Sequence, residues 1–294
     1  MANEGNSNVI TREYLDSLLI ETRYMNSDNP DTGMVLYGRE YTSPIMTGAL
    51  SHLDGIMFPG ASRALAEGAA AAGSVMWLGM ADEAEVEDCV SAGADVIEII
   101  KPYKDRDIIY SKMEHARKIG LPAVGIDIDH PFSEDGSPDN VDGFEMKALA
   151  TSEMEQICRD AGLPVIAKGV LSLYDANEVL EAGVSGLLLS HHNNRIEYAI
   201  PALMLLPDVV RLVNGKCPVF VDGGIRTGMD AFKALALGAT AVGIGKPLMT
   251  AIKDNGAEGV RDYLRTAAGQ LAKAMAYTGC TDLSKMDPAV IHKR

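Results

Sequence analysis

Cysteine is scarce and scattered. Cys89, Cys158, Cys217 and Cys280 are the four in 294 residues, and they form no C-x-x-C pair. Such spacing speaks against a zinc ribbon, a redox pair or a disulfide scaffold and leaves reduced core or surface thiols. Positive charge is also short. Lys and Arg number 26 against 41 Asp and Glu, a formal net charge of −15. Neutralising nucleic acid needs a basic face, so that partner is not expected. A small anion is a different matter, because a local cluster of Lys, Arg and backbone N–H groups binds one inside an acidic protein. Long apolar runs are missing too: no stretch approaches the roughly 18 residues of a membrane span. The polar start from Met1 to Asn8, with Glu4, is unlike a secretory leader. With 47% apolar residues, the expectation is a globular cytoplasmic protein with ample core and no membrane partner.

One punctuation recurs along the chain. A helical pattern ends at a glycine, and a short apolar run begins within a few residues. The glycines are Gly73, Gly93, Gly120, Gly162, Gly183, Gly215 and Gly238. Glycine just past a helix supplies the left-handed backbone that stops it, and a buried parallel strand reads as a brief Val/Ile/Leu run without alternation. The runs are Pro44 to Gly48, Ser74 to Gly79, Val96 to Ile100, Ala123 to Ile128, Val165 to Lys168, Gly186 to Ser190, Val219 to Asp222 and Ala241 to Gly245. Eight strand-and-helix units predict a closed (β/α)8 barrel of the TIM type in the α/β class, with a doubly wound sheet as the alternative. The long interval between Gly120 and Gly162 contains HPFSEDGSPDNVDGF and reads as an enlarged loop after the fourth strand. A last helix is expected from Gly256 to Thr278, with Val260, Leu264, Ala267, Leu271 and Met275 along one stripe. The first forty residues show weak periodicity and suggest a partly ordered lead-in with a short hairpin over the barrel's base.

In such a barrel the chemistry sits at the carboxyl ends of the strands. The fifth run ends in Lys168-Gly169, the sixth in Ser190-His191-His192, the seventh in Asp222-Gly223-Gly224 and the eighth in Gly245-Lys246. Burying a lysine, two histidines and an aspartate near a core is costly unless they are paired or bind something. The segments VFVDGGIRTG and GIGKP suit a phosphate: glycines let the backbone approach the oxygens, a helix N-terminus follows, and Arg226 and Lys246 supply counter-charge.

With LPVIAKGVLSLYDANEVLEAGVSGLLLS, RIEYAIPALMLLPDVV and above all VFVDGGIRTGMDAFKALALGATAVGIGKP, the sequence resembles the FMN-dependent α-hydroxy acid oxidases and dehydrogenases, the glycolate oxidase family. SPIM, AAAAG, KPYKDR and GIDID are weaker echoes upstream. The resemblance implies a lead-in over residues 1–40, an FMN-binding barrel over 41–294, and a homo-oligomer. It implies that Lys168 contacts the N1/C2 carbonyl edge of the flavin and that Ser190 contacts the ring edge as well. His192 would be the catalytic base that takes the substrate's proton while hydride or its equivalent reaches flavin N5, with Asp129 orienting it. Arg195 would hold the substrate carboxylate in a bidentate grip. Asp222, Gly223, Gly224 and Arg226 would meet the ribityl and phosphate groups, with Gly245 and Lys246 completing the phosphate cup.

The departures from the family fall on the substrate side. Asn-His-Gly-Gly-Arg is here His191-His192-Asn193-Asn194-Arg195; the third-strand glutamine is Ile99, the tyrosine two residues on is Lys101, and the fourth-strand threonine is Asp127. An arginine of the loop after the fourth strand and an amino-terminal tyrosine segment are missing. Lys101 adds positive charge over the substrate or neutralises Asp127. His191 and His192 are successive residues on opposite faces; the family register selects His192 and packs His191 against a helix. No metal is expected for want of a compact ligand motif, although Asp127, Asp129, His130 and His192 are candidates for a mixed site. The first expectation is an FMN-dependent oxidoreductase of a small 2-hydroxy carboxylate. The alternatives are a phosphate-binding isomerase or synthase without flavin redox, and an FMN-binding barrel without turnover.

Overall fold

The computed structural model describes residues 4–294. Eight parallel strands wind around one axis: β1 (Ile45–Thr47), β2 (Val75–Gly79), β3 (Asp95–Ile100), β4 (Ala123–Asp127), β5 (Val165–Val170), β6 (Gly186–Leu189), β7 (Val219–Val221) and β8 (Ala241–Ile244). From β2 to β8 each pairs with the next, and β8 pairs back to β1 through Val242 against Ile45. The ring closes between β1 and β2 in two ways. The Thr47 hydroxyl accepts a hydrogen bond from the Trp77 N–H at 2.9 Å, and further on Leu50–Ser51 pairs with Leu78 and Gly79. Barrel and strand positions are those expected from the sequence.

Helices on the outside follow the strands: α1 (Ala61–Ala71), α2 (Glu83–Ser91), α3 (Arg106–Lys118), α4 (Thr151–Asp160), α5 (Leu173–Glu181), α6 (Ala202–Val213), α7 (Gly228–Ala236) and α8 (Lys246–Thr278). Their starts are written in the chain. Asp82, Asp105, Ser172 and Thr227 each accept a backbone N–H of the following turn, the standard way of satisfying an orphan donor. The seven helix-stopping glycines all have positive φ, from 65° to 106°. Two apolar layers result. Alternate strand residues, among them Trp77, Ile97, Ile166, Leu188 and Phe220, fill the barrel, with Trp77 and Phe220 edge to face at 5.5 Å. The others pack under the helices.

The base is plugged by an antiparallel hairpin, Met34–Leu36 against Arg39–Tyr41, whose Met34, Leu36 and Tyr41 join the interior layer. Tyr37 Oη donates to the Ser185 carbonyl at 2.9 Å and fastens the turn. The rest of the lead-in is more ordered than weak periodicity suggests. A helix spans Ser7–Ser17 and buries Ser7, Thr11 and Leu15, a face too polar to read as an apolar stripe. Leu18–Ile20 then pairs with Ile291–Lys293. At the other end, α8 begins ten residues before Gly256, because Pro247 suits a first turn. Its backbone breaks at Asn255 and Gly256, so the expected helix is its second half.

Candidate active site

The strand ends bring eight side chains to one mouth. β3 delivers Lys101, β4 delivers Asp127 and then Asp129 and His130, β5 delivers Lys168, and the turn after β6 carries Ser190, His192 and Arg195. Asp127 is fully buried and lies between two ammonium groups, 2.5 Å from Lys101 Nζ and 2.8 Å from Lys168 Nζ. Lys101 is thus a counter-ion of Asp127, one of the two roles expected for it. Burial alone would protonate Asp127, but Lys168, His192 and Lys101 outweigh it and hold its pKa well below the ordinary range. Lys168, equally buried, is pushed up by Asp127, Asp129 and Asp222 against its own desolvation. For Lys101, desolvation wins and lowers the pKa despite the pairing.

His192 Nδ1 is 2.9 Å from Asp129 Oδ1, 3.1 Å from Lys168 Nζ and 3.4 Å from Asp127 Oδ1. An N–H at Nδ1 donating to Asp129 leaves Nε2 as the unprotonated nitrogen, without a protein partner among the described residues. Burial and Lys168 favour the neutral ring, and the two aspartates overcome both, so the pKa of His192 is raised. Asp129 is raised as well, by burial and the charge of Asp127. Its approach depends on Gly169, where β5 bulges against β6 and φ is 90°. A Cβ there would lie 2.2 Å from Asp129 Cγ, so no larger residue leaves the carboxylate its place.

His192, Asn193 and Asn194 all have left-handed backbone, φ 47°, 56° and 71°. After glycine, asparagine tolerates that region best, which explains how glycine positions of the family accept it here. The asparagines also do what glycine cannot. Asn194 Oδ1 accepts from the Ser7 N–H at 2.6 Å and Asn193 Oδ1 from Asn8 Nδ2 at 3.1 Å, tying the turn to the start of the amino-terminal helix. Ser190 Oγ accepts from the His192 N–H at 3.1 Å. His191 is buried, with its Nε2 facing the turn after β7. Its Nδ1 accepts from the Asn194 N–H at 3.2 Å, so Nε2 carries the proton, and that buried donor has no protein partner among the described residues.

Arg195 does not stand free. Its Nη2 donates to Asp139 Oδ2 at 2.6 Å and to the Phe132 carbonyl, both in the loop after β4. His130 Nε2 lies 3.1 Å from the same Asp139 oxygen. Desolvation, followed by the charges of Lys101, Arg195 and His192, lowers the His130 pKa to about 3. Asp139, despite partial burial, is held below the ordinary range by the Arg195 hydrogen bond and His130. Nothing in the sequence marks Asp139 out from Asp135 beside it, and its place appears only once the loop folds over. Asp127, Asp129 and His192 bring donor atoms within 4.8 Å of one another, with both ammonium groups already on Asp127.

The opposite side of the mouth fits a nucleotide phosphate. Gly223 and Gly224 have φ of 84° and 76°, and a Cβ on Gly223 would lie 3.1 Å from the orphaned His191 Nε2. Gly245 leads directly into the N-terminus of α8, where backbone N–H groups favour an anion. Arg226 and Lys246 are exposed and have no ion-pair partner among the described residues. Arg226 also borders a surface cavity of about 340 Å³ between the Arg226–Thr227 turn and α8. Asp222 sits below the glycines, close enough for its charge to raise Lys168.

A barrel with paired acid and base groups on one side of its mouth and an anion cradle on the other is the architecture of a nucleotide-cofactor oxidoreductase. The family model described as FMN-dependent dehydrogenase matches residues 1–153 and 134–293, and the chain belongs to that family. It is an oxidoreductase with FMN as its cofactor. It is 30% identical to glycolate oxidase 2 of Oryza sativa subsp. indica over 292 residues, 87% of this chain and 79% of the relative. It is 28% identical to 2-hydroxyacid oxidase 1 of Homo sapiens over 313 residues, 91% and 83% of the two chains. Among solved structures, mandelate oxidase with (S)-2-phenylpropionate superposes with a TM-score of 0.88 at 26% identity, over 99% of this chain and 92% of that one. A mandelate oxidase variant with the monooxide FMN adduct gives the same score and identity over 100% and 94%. These likenesses do not favour the flavin-free isomerase alternative. No helix among the described residues is long and apolar enough to cross a membrane.

Proposed function

We propose that the chain oxidises a small 2-hydroxy carboxylate to the 2-oxo acid, with His192 as the base and Arg195 as the carboxylate anchor. The observation that carries the reading is the setting of the His192 ring. Asp129 takes the proton side at Nδ1, and Nε2 is left to accept a hydroxyl proton at the mouth. Asp129 thereby orients the ring and favours the imidazolium that results. Arg195, three residues on, would fix the carboxylate so that the α carbon is presented in one orientation. Lys168 would lie at the flavin edge with Ser190, a cation where reduction places negative charge. FMN supplies the two-electron acceptor. Asp222, Gly223, Gly224, Arg226, Gly245 and Lys246 would hold its ribityl and phosphate groups. Lys101, locked on Asp127, would shape the substrate side rather than bind a second anion. The chain would work in the cytoplasm as a homo-oligomer; Ile196, Tyr198 and Met204, exposed beside the mouth, offer apolar surface for a second copy.

The test is anaerobic mixing of FMN-loaded protein with 2-hydroxy acids. His192→Ala is expected to retain FMN and to lose flavin reduction by about 10²–10⁴-fold, the usual worth of a positioned base. His191→Ala is expected to keep reduction of the FMN it binds. Equal loss in both would place the base elsewhere.

A further inference from the structure

The loop after β4 closes on Arg195 at one atom. Both acceptors, the Asp139 carboxylate and the Phe132 carbonyl, take Nη2. A guanidinium grips a carboxylate in two parallel hydrogen bonds along one of two edges, Nε with Nη2 or Nη1 with Nη2. Nη2 belongs to both. With its two N–H groups engaged, neither edge is open, although Nε and Nη1 have no partner among the described residues. The Asp139 carboxylate, with an arginine on one side and the His130 imidazole at 3.1 Å on the other, has the surroundings a substrate carboxylate would seek beside His192.

The segment that carries this carboxylate bonds mostly within itself, and the Met146 N–H donates to the Asp139 carbonyl at 2.7 Å at its far end. Ser133, Asp135 and Ser137 bond one another, Phe132 pairs with Pro138, and the Asp139 N–H donates to the Pro131 carbonyl. Among the described residues, the only hydrogen bonds from 131–139 to anything beyond the β4 loop run to Arg195. The loop's root is fastened separately, by Lys104 to Glu145 at 2.8 Å and by the Tyr103 and Phe144 rings at 5.7 Å. Segment 131–139 is thus a flap fastened to the root through the Asp139 carbonyl, with Arg195 as its latch outside the β4 loop.

We propose that Asp139 is a specificity-determining residue, an internal competitor for the grip of Arg195 that a substrate anion must displace. The proposal rests on the reading of Arg195 as the anchor. A 2-hydroxy carboxylate exchanges one carboxylate for another at the arginine and frees the flap. A 2-hydroxy amide or ester has no charge to offer in exchange, and the latch stays shut.

Oxalate, titrated calorimetrically into FMN-loaded protein, tests this without turnover. Asp139→Asn keeps an acceptor for the Asn140 N–H, now 2.9 Å from Asp139 Oδ1, and removes the charge from Arg195. It is expected to bind oxalate about 10-fold tighter or more, since the apparent Kd is the intrinsic Kd divided by the fraction of competent molecules. Its amides over 131–139 should exchange hydrogen faster without ligand, a state that wild type reaches only with oxalate bound. Asp139→Glu, which keeps the charge, should bind like wild type and controls for disruption of the loop. Arg195→Met should abolish oxalate binding in either background. Unchanged or weaker binding by Asp139→Asn, with Arg195 still required, overturns the competition and spares the anchor. Binding indifferent to Arg195 removes the anchor reading, and the proposal with it.

Discussion

The ring of His192 lies between two carboxylates and an ammonium group, and their balance sets its protonation. Burial and Lys168 press it toward neutral, while Asp127 and Asp129 raise its pKa above the ordinary 6.5. A base must be unprotonated to act, so kcat/KM is expected to fall as pH drops through a value above 6.5. Asp129→Asn removes one stabilising charge from the imidazolium, so this acid limb should move to lower pH while kcat falls. A limb that stays in place would mean that the titrating group is not His192. The residues of this side were legible for a simple reason. Lys168, Ser190, His192 and Arg195 belong to short segments at strand ends, where the run that positions each residue is contiguous with it. Two partners were not legible in the same way. Lys101 was open to two roles in the sequence, and its 2.5 Å contact with Asp127 depends on a partner from the neighbouring strand. Asp139 reaches the site from a turn-rich loop whose closure no local pattern encodes.

Elements show the same division. The helix-stopping glycines and the apolar runs between them marked all eight strands within a few residues, because a buried parallel strand and a glycine stop are both local signals. The amino-terminal helix was not visible, since Ser7 and Thr11 on its buried face are satisfied or covered through tertiary contacts rather than by an apolar stripe. Its function in the fold is to hold the turn of His192. Asn194 carries two burdens there, a left-handed φ and an acceptor for the Ser7 N–H. Asn194→Ala loses both and is expected to cost about 1–2 kcal/mol, the range of a lost helix cap. Asn194→Gly keeps the backbone at ease and should cost less than Asn194→Ala. Urea denaturation of the two variants checks the order. Equal losses would assign the whole effect to the side-chain acceptor.

For the whole molecule, the barrel assigns labour by position. The hairpin Met34–Leu36 with Arg39–Tyr41 seals the base, and the mouth is shared between a charged substrate side around Asp127 and a glycine-lined cradle at β7 and β8. Of the departures from the family pattern, Lys101, Asp127 and the asparagine pair lie on the first side, whereas His191 faces the second. The second side holds Arg226 and Lys246, exposed and without an ion-pair partner among the described residues, and the His191 donor, likewise without one. A phosphate bound there is therefore the physical premise of the proposed function. Fluorescence titration of the FMN-free protein with FMN and with riboflavin, which lacks only the phosphate, tests it directly. FMN should bind more tightly than riboflavin, and Arg226→Ala or Lys246→Ala should each weaken FMN about 10–100-fold, the worth of a charge-assisted hydrogen bond, while leaving riboflavin nearly unchanged. Equal affinity for the two flavins, or FMN binding unaffected by either substitution, would contradict the cradle and the function built on it.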